Sequence, residues 1–388
     1  MGRALYIFFL IFLVSTGNLR ADVRVATFNI AMGLSREGEM AAALESGANE
    51  RLKKVAAILQ QVRPDIVLLN EFDYDPGVDA AALFNRNYLA RGQHGREPIE
   101  YAWHFRAPVN TGIDSGMDLD RDGTTGGPGD AWGYGSFAGQ YGMLLLSRYP
   151  VLDDRSRTFQ NFPWSRLPAA NEPGDGSYYP RDVWKRLRLS SKSHWDVLIE
   201  IDGAELHLLA HHPTPPVFDG PEDRNGLRNF DEVRFWKYYG HPAKNRVHGT
   251  TDWLVDDQGR SGGIDPDARF LIAGDFNADP FDGDSVPGSI GQLLEADWID
   301  TSCEPASKGG REAALEQGGR NDRHRGHPAL DTSDFNDEYT GNLRLDYLLP
   351  SANLEVTACG VFWPAADEPG HDLVDASDHR LVWMDIRL

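Results

Sequence analysis

Short apolar runs with a two-residue period recur along the chain, and each stops at a polar side chain. Residues 23–30 read VRVATFNI: Val23, Val25 and Thr27 share one face of a strand that ends on Asn29. In PDIVLLNEFD a continuous apolar run at 66–69, the mark of a buried strand, precedes Glu71. The run LIAGDFNADP, residues 271–280, closes with Asp275 and Asn277, two apart and so expected to point the same way beyond the sheet. ELHLLAHHPTPP ends a strand at His211 and His212, and RLDYLLP carries Asp346 inside a strand. DASDHRLVWMDIRL puts Asp378 and His379 before a last alternating strand. Every one of these strand ends delivers a group able to bind a metal, orient a water or move a proton.

Between the strands the period changes. Residues 47–63 space Leu52, Val55, Ala56, Leu59 and Val62 at helical intervals, and Pro64 ends the helix. Strand, helix, strand is the parallel crossover of an α/β layer. HWDVLIEIDGAELHLLAHH predicts a hairpin turning at Asp202 and Gly203, and a helix is expected to begin near Arg224. Residues 153–190 are irregular and rich in aromatic side chains, among them Trp164, Tyr178, Tyr179 and Trp184. Three polar stretches, 107–139, 213–265 and 303–342, are expected as loop insertions decorating a single domain over residues 22–388. The first of them, rich in Gly and Asp, is placed near the site.

These motifs, in this order, resemble the endonuclease/exonuclease/phosphatase superfamily. That superfamily includes the pancreatic-type deoxyribonucleases, abasic-site endonucleases, inositol-polyphosphate 5-phosphatases and bacterial sphingomyelinases. GDFN and the terminal SDH are its specific parts; TFN and NEFD gain weight from standing in sequence with them. The resemblance runs from about residue 23 to 388. It implies an α/β fold, a four-layer α/β sandwich with two mixed β-sheets face to face and helices on the outside. It also implies a metal-dependent phosphoesterase site at one end.

Hydrolysis of a phosphate ester needs a cation on the non-bridging oxygens, an oriented water and a route for a proton. Glu71 is the expected direct Mg²⁺ ligand, because hard cations prefer carboxylate oxygen; Mn²⁺ or Ca²⁺ are alternatives. Asn29 beside it offers a neutral oxygen or a hydrogen bond to phosphate. The resemblance pairs Asp346 with His379, places Asp378 at the metal or its water shell, and gives Asp275 with Asn277 the positioning of the nucleophile. Whether Asp275 or His379 takes the water's proton stays open. His212, three residues before Pro215, fits the deoxyribonuclease spacing for phosphate contact or leaving-group protonation, while His211 faces the other way and packs. Lys192 and His194, where the hairpin starts, are read as surface residues, with a reach to the site by either as the alternative. Folding alone offers blander roles: a turn residue for Asn29, a solvated carboxylate for Glu71, a buried structural imidazole for His379. DLDRDG sets Asp118, Asp120 and Asp122 at alternate positions like the start of a separate Ca²⁺ loop, but Gly129 stands where that loop needs a bidentate acid. A mobile acidic loop is the other reading.

Residues 1–21 hold Arg3, an apolar run too short to span a bilayer comfortably, and a polar exit. They read as a signal peptide cut after Ala21, with a cut after Gly17 or an uncleaved anchor as alternatives. The mature chain is then secreted or periplasmic, monomeric and without a transmembrane segment. Its net charge is −21 with the leader, which itself contributes two arginines. A chain this acidic neutralises DNA phosphates poorly, so no stable duplex DNA binding is expected. Cys303 and Cys359 can pair in an oxidising compartment but cannot form a thiolate zinc site.

The expected function is a secreted divalent-metal-dependent phosphoesterase that hydrolyses a phosphodiester or phosphomonoester. A non-specific extracellular nuclease is the alternative within that class. A catalytically silent binding module on the same fold is the alternative outside it. A sphingomyelinase would need an exposed apolar hairpin, whereas Trp164 and Trp184 are set in irregular polar surroundings. The aromatic loops could instead stack bases or hold a sugar or inositol ring.

Overall fold

The computed structural model describes residues 22–241 and 250–388; the expected leader, residues 1–21, lies outside them. In chain order the strands are β1 (Val23–Asn29), β2 (Ile66–Asn70), β3 (Trp103–Phe105), β4 (Met143–Ser147), β5 (Arg157–Thr158), β6 (His194–Ile201), β7 (Ala204–His211), β8 (Phe270–Asp275), β9 (Ser333–Asp334), β10 (Asn342–Leu343), β11 (Asp346–Pro350), β12 (Glu355–Phe362) and β13 (Leu381–Arg387). One sheet has the order β12-β13-β1-β2-β4-β3 and the other β11-β8-β7-β6-β5, with β9 and β10 paired apart. Both sheets are mixed: β1–β2 and β7–β8 are parallel and the other pairs antiparallel.

Alternation along the strands builds the layers. Val23 and Val25 of β1 turn inward to a core shared with Ile66 and Leu68 of β2 and, from the other sheet, Trp195, Leu208 and Leu271. Ala26 and Phe28 turn outward to a second core under α1 (Glu39–Ser46), α2 (Glu50–Val62) and α3 (Ala80–Phe84). The helix predicted at 47–63 is α2: the Asn49 side chain caps it by accepting from the Leu52 N–H, and Leu52, Val55, Leu59 and Val62 lie on its buried face. Each such buried side chain contributes about 1.5–3 kcal/mol. On the far side, Leu209 and Ile272 meet α5 (Arg224–Gly240), with the short helices α4 (Arg181–Trp184) and α6 (Gly291–Leu294) beside it. Helices, sheet, sheet and helices make the expected four layers. The hairpin turns where expected, at Asp202 and Gly203, both with positive φ.

Three expectations change. Residues 153–190 are not polar surroundings: Phe159, Phe162, Trp164 and Trp184 fill the outer core against Val233, Phe235 and Trp236 of α5. The Trp164 and Trp184 rings sit 5.0 Å apart. The stretch 303–342 is not loop throughout but contains α7 (Lys308–Gln317), capped by Ser307, and the β9–β10 pair. Its helical period was faint because Gly309, Gly310, Ala313 and Ala314 carry little side chain. The 107–139 insertion folds back on itself through bridges from Thr111 to Gly133 and from Asp114 to Ala131. A Cβ on Gly133 would lie 1.9 Å from the Ser191 carbonyl oxygen, so glycine there permits the contact. Cys303 and Cys359 form a disulfide that ties the loop after α6 to β12. Among the described residues no helix is long and apolar enough to cross a membrane.

Candidate active site

The parallel pairs and their antiparallel neighbours bring the polar strand ends to one edge. Asn29 ends β1, and its Nδ2 donates to Asp275 Oδ2 (3.0 Å) and to Glu71 Oε1 (3.3 Å), linking the two sheets. Glu71 follows β2 in the left-handed region, φ 58°, a conformation that costs energy in a residue with a Cβ and turns its carboxylate back over the sheet edge. Asp275 ends β8 and pairs in register with Asp346 at the start of β11. Gly274 before it has φ 145°, and a Cβ there would meet the His211 carbonyl oxygen at 2.0 Å. Asp275 Oδ2 lies 3.4 Å from His212 Nε2 and 3.7 Å from His379 Nε2. The His379 Nδ1–H donates to Asp346 Oδ2 at 2.8 Å, and the Thr332 hydroxyl donates to the same oxygen. Asp275, Asp346 and His379 each offer a ligand atom within 4.8 Å of the others, a grouping able to hold a divalent cation only if His379 gives up its proton.

Asn277 lines the same cavity as Asp275, but not by strand alternation. Its φ of 50° breaks the strand; its N–H donates to Asp275 Oδ1 and its Nδ2 to the Pro213 carbonyl. Asp378 is exposed at the rim of the cavity that holds Asp275 and His379. His211 packs as expected, its ring 4.2 Å from that of Phe276.

Burial and neighbouring charge set the protonation states. Burial would drive the His379 imidazolium down, but the carboxylates of Asp346 and Asp275 outweigh it and hold the group at about 10. Burial pushes Asp275 up to about 6 against the pull of His379. Burial likewise raises the Glu71 carboxyl, and among the described residues Glu71 has no ion-pair partner within hydrogen-bonding reach. His212 is held neutral by burial, with Lys192 and His379 adding to the effect.

Lys192 and His194 are not surface residues. The polar run SSKSH reads as solvated, yet Ser191 donates its N–H to the buried Glu232 carboxylate, and that bond draws the run inside. His194 is pushed down to about 3 by burial and packs against Phe235. Lys192 lines the cavity beside Glu71, its ammonium disfavoured by burial and favoured by Glu232, Glu71 and Asp275. Asn70 was also missed: its Oδ1 accepts from the Asp275 N–H and its Nδ2 reaches the His211 carbonyl. An amide directly before Glu71, at the end of an apolar run, was the available signal. The Ca²⁺ loop reading needs correction too. Asp118 and Asp120 converge with Asp130, whereas exposed Asp122 closes its own turn by accepting from Thr124.

Two cavities meet at Glu71 and His212 and share the ridge at 215–218. The smaller, about 290 Å³, is acidic: Asp275, Asp279, Asp282, Asp284 and Asp378 line it. The larger, about 680 Å³, carries Lys192, Arg224 and Arg228 among the rings of Tyr134, Trp164 and Tyr179.

Two mixed sheets share one polar edge, as the resemblance implies. The sequence agrees: residues 26–379 match the Endonuclease/Exonuclease/phosphatase family, and the chain belongs to it. Among solved structures, an endonuclease/exonuclease/phosphatase from Beutenbergia cavernae DSM 12333 is 20% identical at a TM-score of 0.52, with 95% of this chain and 72% of that chain covered. Sphingomyelinase C from Streptomyces griseocarneus is 16% identical at 0.47, covering 94% and 99%. A beta toxin from Staphylococcus aureus with bound magnesium ions is 14% identical at 0.45, also covering 94% and 99%. These identities speak to the fold alone. No curated protein matches the chain.

Proposed function

We propose that this protein is a secreted, divalent-metal-dependent phosphoesterase that hydrolyses its ester with an activated water. The observation that carries the reading is the meeting of Asn29, Glu71, Asp275 and His379, far apart in sequence, in one cluster joined by the Asn29 hydrogen bonds and the 3.7 Å approach of His379 to Asp275. Glu71 fits a cation: it is a desolvated carboxylate with no ion-pair partner among the described residues, and it lines the same cavity as the rim carboxylate of Asp378. A bound Mg²⁺ or Mn²⁺ would neutralise phosphate charge there. Asn29 holds the Glu71 and Asp275 carboxylates in fixed relation. Asp275, central to the donors, is the base that orients the water and takes its proton. His379 keeps its own proton, fixed by Asp346, and presents it from Nε2 to phosphate or leaving group. Neutral His212 donates to the same oxygens, Asn277 anchors the Asp275 carboxylate through its N–H, and Lys192 offers a further N–H donor from the larger cavity. Export is supported by the leader-like residues 1–21 and by the Cys303–Cys359 bridge, which persists in oxidising compartments.

The test is hydrolysis of bis-p-nitrophenyl phosphate and p-nitrophenyl phosphate with Mg²⁺, Mn²⁺ or Ca²⁺, before and after chelation. Turnover that chelation abolishes and metal restores is the expected outcome. Inactivity toward both esters with every metal leaves the silent binding module standing instead.

A further inference from the structure

The larger cavity has a chemistry that ester hydrolysis alone does not need. At about 680 Å³ it can hold a whole ring-bearing group, far more than a phosphate. The Trp164 and Tyr179 rings form its buried wall, while Tyr134 and Phe218, 67% and 88% exposed, stand at its mouth. Phe218 is held there at φ 67°, a backbone state that bulky residues seldom adopt. On the same wall the Thr214 hydroxyl is buried without a hydrogen-bond partner. At the inner end, Lys192 Nζ makes one long hydrogen bond, 3.4 Å, to the Pro213 carbonyl.

Building on the phosphoesterase reading, we infer that this cavity is the subsite for a planar, ring-bearing ester substituent. The ring stacks on the aromatic walls while the phosphate it carries lies between Glu71 and Lys192. Continuity supports this: Glu71 and His212 line both cavities, so a group in the larger one is within bonding reach of a phosphate at the cluster. Chemistry supports it as well. Aromatic faces attract a flat ring, and the Thr214 hydroxyl meets its polar edge, where an acyl chain would leave it unpaired.

Two diesters that release the same methanol test the subsite: the methyl ester of thymidine 5′-phosphate and dimethyl phosphate. The ring-bearing ester should be favoured in kcat/KM by about tenfold or more, the scale of one stacked ring. Tyr134→Ala and Phe218→Ala alter exposed side chains, so folding is not at stake, and each should move that ratio toward unity through KM. A ratio near unity in the unaltered protein, or one untouched by both substitutions, overturns the subsite. Calorimetric binding of thymidine 5′-monophosphate against methyl phosphate, with Mg²⁺ present, reads the same subsite without turnover. Tighter binding of the nucleotide, erased by the substitutions, supports it even if neither diester is cleaved; that failure would remove the phosphoesterase reading alone. Equal binding of the two overturns the subsite and leaves hydrolysis unaffected.

Discussion

The two cavities flanking Glu71 and His212 are built from different parts of the chain and differ in sign. The acidic one is made by strand ends and the turns just beyond them, residues 275–285 and 378–379. The aromatic one is walled by segments that leave the sheets altogether, residues 119–134, 164–192 and 214–228. On the proposed function the strand ends would carry the chemistry and the loop excursions the space around it. An anionic ester meets carboxylates on one side, which call for a cation between, and fixed positive charge on the other. On that reading the division would separate the work of cleaving from the work of choosing.

The largest effect should come from the residue both cavities share. Glu71→Gln keeps the shape and removes the charge, and kcat/KM for bis-p-nitrophenyl phosphate should fall by about 10³-fold with the metal requirement shifted to higher concentration. A variant as active as its parent would place the cation elsewhere. On the cationic side, Lys192→Met should raise KM by about 10–100-fold, the range for a lost hydrogen bond to a charged group, with kcat less affected. An unchanged KM would return Lys192 to a purely structural role.

The smallest effect belongs to the acidic side and concerns stability. Burial pushes the Asp331 carboxyl up to about 8, with Asp279 and Asp282 adding. The folded state then keeps a proton that the unfolded chain releases near pH 4, so this group's contribution to stability falls as pH rises from about 4 to about 8. Asp331→Asn removes that loss. Urea unfolding at pH 8 should show the variant more stable by about 1–3 kcal/mol, and at pH 4 the two should coincide. Equal midpoints at pH 8 would mean that this carboxylate is ionised in the fold at no cost.

How legible each part was follows from how it is built. Asn29, Glu71, Asp275, Asp346 and His379 stand at the ends of strands whose two-residue period is written plainly, so the polar punctuation could be read off. The α2 face was legible for the same reason at helical spacing. Asn277 reaches the cavity by another route than the one read, because its own left-handed backbone ends the alternation and nothing in GDFN announces it. The aromatic segment at 153–190 misled because its rings reach the outer core from turns and short helices, which have no period. Lys192 and His194 were hidden by their own polarity: a buried carboxylate, Glu232, many residues downstream holds their neighbours inside. Such long-range satisfaction of polar groups leaves no local trace.

Asp275 and Asp346 stand opposite one another in the β8–β11 ladder. Side chains on neighbouring rungs face opposite ways, so a slip of one rung would send one of the two acids to the far side of the sheet and part Asp346 from His379's neighbour. Titrating intact catalytic clusters therefore counts the molecules in which those two strands were threaded correctly, something that spectroscopic measures of strand content would miss.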